Sequence, residues 1–73
     1  MIFYVFELQT NATGAALVST FDNLPAAESK YYLILSAAAI SNVRRHGAMI
    51  ITEEGVVLKQ EVFTHLLPAN AEE

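Results

Sequence analysis

The sequence predicts an α+β fold with the element order ββαββ: a four-stranded, mainly antiparallel sheet with one helix packed on one face. Three observations carry this. Two stretches of β-branched and aromatic residues near the N-terminus are separated by a turn containing Gly14. Two more lie near the C-terminus around Gly55, and between the pairs runs one long helical stretch that opens on Asp22-Asn23-Leu24-Pro25. With 73 residues the chain is one domain, assigned to residues 1–67, with a short polar tail over 68–73.

Residues 2–9, Ile-Phe-Tyr-Val-Phe-Glu-Leu-Gln, have strand composition. Ile2, Tyr4, Phe6 and Leu8 fall on one face, and Phe3, Val5, Glu7 and Gln9 on the other. The first half is apolar on both faces, as in a central strand or one covered by a second layer. Residues 10–14 form a turn, and 15–21 return as the second strand of a hairpin, with Leu17, Ser19 and Phe21 alternating with Ala16, Val18 and Thr20.

The helix starts at residues 22–25, where Asp or Asn accepts backbone N–H bonds and Pro25 has no need of an N–H of its own. Its apolar pattern runs to Asn42 or Val43. Ala27, Tyr31, Ile34, Leu35 and Ala38 form a stripe suited to a sheet. Leu33, Ala37 and Ile40 lie on a second flank, and Tyr32, Ala39 and Val43 on a third. A helix apolar on so much of its circumference is expected to be covered on more than one side. Residues 48–53 and 56–65 then form the second hairpin. In its last strand Val56, Leu58, Gln60, Val62 and Thr64 are expected to face inward, with Lys59 and Glu61 outward. The expected core is Phe6, Leu8, Leu17, Tyr31, Ile34, Leu35, Ala38, Ile50 and Leu58.

Composition narrows the function classes. There is no cysteine, so disulfides and thiolate metal sites are excluded, and no cofactor or metal is expected. A chain this small has a marginal core and usually relies on disulfides, a metal or oligomerisation. The 53% apolar and 16% charged composition, against about 25% charged on average, points to oligomerisation. Net charge is −4 with only Lys30, Arg44, Arg45 and Lys59 basic, which disfavours nucleic acid and anionic membranes as partners. No targeting signal or membrane-spanning length is evident, and a cytoplasmic location is expected.

No residue pattern asks for catalysis. Arg44, Arg45 and His46 follow the helix and would there oppose the negative end of its dipole. His65 has no partner at metal-ligand spacing, and a surface or partly packed position is expected. Glu53 and Glu54 flank a turn, where adjacent side chains diverge rather than form an acid–base pair. The serines lack a Gly-x-Ser-x-Gly elbow.

The segments Phe6-Glu7-Leu8-Gln9-Thr10-Asn11, Ala27-Glu28-Ser29-Lys30-Tyr31, Ala37-Ala38-Ala39, Ser41-Asn42-Val43 and Glu53-Glu54-Gly55 with Leu58-Lys59 resemble a group of small uncharacterised bacterial proteins, similar to accessory proteins of phage-derived or mobile clusters. The resemblance implies a single compact domain and brings no activity or binding residues.

The expected function is therefore a non-enzymatic protein–protein interaction or assembly subunit acting as a homodimer. Tyr32, Leu33, Ala37, Ile40 and Val43 are the expected interface. The alternatives are a small-molecule or peptide binder, using a pocket between helix and sheet or a free strand edge, and a nucleic-acid-associated regulator if Lys30, Arg44 and Arg45 converge.

Overall fold

The computed structural model describes residues 1–10 and 16–65. The N-terminal turn and the polar tail expected at 68–73 lie outside the described residues. Strands β1 (Phe3–Thr10) and β2 (Ala16–Phe21), helix α1 (Leu24–Ala39), and strands β3 (Arg45–Thr52) and β4 (Val57–Thr64) follow in that order. The fold is α+β, ββαββ, with all strand pairs antiparallel and the spatial order β2-β1-β3-β4.

Each hairpin pairs locally, and the two join through β1 and β3, whose register runs from Phe3↔Thr52 to Thr10↔Arg45. The β3–β4 turn is tied by Thr52. Its Oγ1 accepts from the N–H groups of Glu54 and Val56, each at 3.2 Å, and Gly55 takes φ +87°. That left-handed geometry is open to glycine without steric cost. Gly47 has another reason. A Cβ there would collide with the Glu61 carbonyl oxygen and lie 2.6 Å from Val62 Cα, because the backbone of the neighbouring strand β4 closes in on it at its register partner Val62.

Helix α1 starts as its cap residues dictate: Asn23 is extended, its Oδ1 accepts from the Ala26 N–H at 2.9 Å, and Pro25 lies in the first turn. It rests mainly on β3 and β1. Ala27, Tyr31, Ile34 and Ala38 are buried, and all but Ala38 belong to one core cluster with Val5, Ala48 and Ile50, bordered by Phe3, Phe21 and half-buried Leu35.

Three expectations are corrected. The helix ends at Ala39 rather than at Asn42 or Val43, with Ile40 as its C-cap. The Ser41 hydroxyl accepts from the Val43 N–H at 2.9 Å, a local bond that competes with helix continuation. The third strand starts at Arg45 rather than residue 48, so that it pairs with the whole of β1. Finally, β4 is turned over. Lys59 and Glu61 pair with Ile50 and Ala48, both core residues, and so lie on the helix side, while Leu58, Gln60 and Val62 lie on the opposite face. The charges are tolerated there because β4 is an edge strand at the margin of the helix. Lys59 reaches the Glu28 carboxylate at 4.0 Å and stands 5.7 Å from the centroid of the Tyr32 ring. Inward-pointing charge also guards an edge against unwanted pairing. In consequence Leu58 is exposed, as is Leu17 on the other edge, while Phe6 and Leu8 are half-buried on the face away from the helix; none of the four belongs to the core.

Candidate interaction surface

Strand alternation gives the sheet two unlike faces. On the helix side β1 places Phe3, Val5, Glu7 and Gln9; on the other it places Tyr4, Phe6 and Leu8. The register sets Val18 beside Phe6 on one flank and Met49 on the other, and Ile51 beside Tyr4. Val62 lies opposite Gly47, and Val57 opposite Ile51 beside the register shift at Ile50/Ile51. The open face is thus largely apolar across all four strands, with Thr10, Thr20, Arg45 and Thr64 as polar members towards its ends and Gln60 on edge strand β4. No element of the described chain covers it. Val18 is 55% exposed and Val62 46%, while Tyr4, Phe6, Leu8, Met49 and Ile51 shield one another to half-burial.

The described carboxylates lie elsewhere. Glu7 and Glu61 are on the helix side, Glu28 is on α1, Asp22 precedes the helix, and Glu53 and Glu54 are in the β3–β4 turn. Among the described residues, the open face therefore carries no carboxylate within the paired strands, and Glu53, which continues the alternation of Met49 and Ile51 beyond β3, stands at its rim.

The helix flank expected as an interface is also exposed. Leu33 is 65% exposed, Ile40 88%, and Tyr32 and Ala37 are exposed too; Val43 is half-buried. Tyr32 meets Tyr31 edge to face with centroids 5.1 Å apart, and it lies beneath Lys59. The flank is narrower than the sheet face, and Ser29 and Ser36 interrupt it.

A polar cluster on the helix side was missed in the sequence. His46 is not at a helix exit. It lies in β3, buried, with Nε2 2.7 Å from Glu7 Oε2, which also accepts from Gln9 Nε2 at 3.0 Å. The hydrogen bond from His46 is the main cause holding the Glu7 carboxyl below its ordinary value, with burial opposing it. His46 Nδ1 is buried without a partner among the described residues. The place at the helix C-terminus belongs instead to His65, whose Nε2 donates to the Ala38 carbonyl at 2.7 Å, the favourable site for a donor. The sequence signal was present in Glu7 and Gln9, two polar residues continuing the same face as Val5.

Two of the expected basic residues, Arg45 and Lys30, lie on opposite sides of the sheet. Arg45 projects on the open face, whereas Lys30 is on α1 across the sheet. Among the described residues no cavity opens between helix and sheet, no group of His, Asp and Glu has metal-ligand placement, and no helix is long and apolar enough to cross a membrane.

Comparison with protein-family models, curated proteins and solved structures finds no match to this chain.

Proposed function

We propose that this chain is a non-enzymatic protein–protein interaction or assembly subunit that acts as a homodimer. The observation that carries the reading is the apolar face spanning β2, β1, β3 and β4, which no element of the described residues covers. A soluble monomer rarely leaves more than a few hundred Å² of contiguous apolar surface in water. Covering such a face returns roughly 25 cal/mol per Å² before the costs of association. The net charge of −4 favours a protein partner over nucleic acid. Light scattering after size exclusion tests the reading. A dimer mass at micromolar concentration is expected, with a melting midpoint that rises with protein concentration. A monomer at hundreds of micromolar with a constant midpoint overturns it.

One observation favours a second reading, a peptide binder. Edge strand β2, Ala-Leu-Val-Ser-Thr-Phe, has no charge and no proline, whereas β4 carries Lys59 and Glu61 and a register shift. An uncharged edge is the kind to which an extended peptide adds as a further strand. Chemical-shift changes confined to β2 on titration with apolar extended peptides would support it.

A further inference from the structure

We infer that the open face is the contact with a second copy, sheet stacked on sheet, with both helices outward in an α/β/β/α sandwich. The inference rests on the homodimer reading above and fixes which surface the second copy uses.

Four features of the face select this occupant. The first is area. Four strands at about 4.8 Å spacing and about eight residues at about 3.3 Å rise give a footprint of roughly 500 Å² per copy. Side-chain relief raises the accessible area above that projection. Two copies therefore approach the roughly 1,000 Å² that a specific interface must bury. The helix flank, one row of Leu33, Ala37 and Ile40 broken by serines, offers far less.

The second is charge. Two molecules of net charge −4 repel each other. No described carboxylate lies on the open face within the paired strands, so stacked faces bring none into the middle of the contact, and only Glu53 stands at its rim.

The third is shape. The face has no cavity and is built of alternating side chains on a twisted four-stranded sheet. The natural complement is another such sheet, about 10 Å away and rotated by about 30°.

The fourth is symmetry. The middle of the order β2-β1-β3-β4 falls between β1 and β3, at the pair Phe6↔Met49. A two-fold axis there sets aromatic and thioether side chains against their own copies, an isologous contact.

The test combines mass with cross-linking in the cysteine-free chain. Met49→Lys and Val18→Glu are expected to give folded monomers by circular dichroism and light scattering, while the Leu33→Glu/Ile40→Glu variant stays dimeric. Met49→Cys is expected to cross-link to dimer with a bismaleimide of about 10 Å reach, the sheet-to-sheet distance, and Leu33→Cys to remain uncross-linked. The cysteine variants keep the test valid if either charged variant fails to fold. A dimer that survives Met49→Lys and Val18→Glu but is broken by Leu33→Glu/Ile40→Glu, or cross-links through Leu33→Cys alone, overturns the stacked-sheet contact and leaves the homodimer reading standing. An unmodified chain that is monomeric at hundreds of micromolar overturns both.

Discussion

The imidazole of His46 on β3 and the carboxylate of Glu7 on β1 meet at 2.7 Å on the helix side of the sheet, with Gln9 bonded to the same oxygen. The pair links the two hairpins at their junction. Because the Glu7 carboxyl is held below its ordinary value mainly by this bond, its contribution to stability is fully present above the unfolded glutamate value of about 4.3. It is lost as pH falls through the folded value. Denaturant melts at stepped pH should show stability declining below about pH 5. In Glu7→Gln that acid decline should be shallower, with a loss of about 1 kcal/mol at neutral pH from weakening a charge-assisted bond. An unchanged acid limb in the variant would assign the decline to other carboxylates.

Gly47 and Gly55 should differ in the size of their penalty. Alanine at 47 places its Cβ against the backbone of β4 at Glu61 and Val62, where only a shift of the whole strand makes room. A loss of about 1–3 kcal/mol or more is expected. Alanine at 55 meets no atom within 4 Å but must hold φ +87°, which costs roughly 1–2 kcal/mol. Urea titrations should rank Gly47→Ala as the more damaging.

Apolar truncations should sort by face. Ile50 is fully buried under the helix, and Ile50→Ala should cost about 2–5 kcal/mol. Leu17, 60% exposed on edge strand β2, should lose under about 0.5 kcal/mol. Half-buried Leu35 should fall between them. Measuring all three at one protein concentration separates core packing from self-association.

The start of α1 depends on Asn23, which caps Ala26. Asn23→Ala should cost about 1 kcal/mol, and Asn23→Asp should retain most of the stability. Thermal melts followed at a helical wavelength would check the pair.

Element identity was legible because local chemistry and tertiary packing agree. Asn23 and Pro25 do start a helix, and Gly55 does turn a hairpin. Facing was less legible where both sides of a strand are apolar. Phe6 and Leu8 are as plausible in a core as Phe3 and Val5, and only the position of the helix separates them. In β4 the usual sign, charge outward, pointed the wrong way, because Lys59 and Glu61 escape past the helix margin at an edge. The Glu7–His46 pair depends on a register between strands far apart in sequence. Arg44-Arg45-His46 looks helical or loop-like until β1 draws it into a sheet.

The joining of β1 to β3 also governs how the chain reaches its native state. Either hairpin forms from neighbours in sequence, an event of microseconds. The central pairing, Phe3↔Thr52 at one end, must wait until the chain between them is closed. Such distant contacts raise contact order and slow folding, since loop-closure entropy is lost before their stabilisation is gained. Until the hairpins dock, β1 and β3 are themselves free edges carrying Phe6, Met49 and Ile51, so the interval before docking is when the chain is most exposed to mispairing with its neighbours.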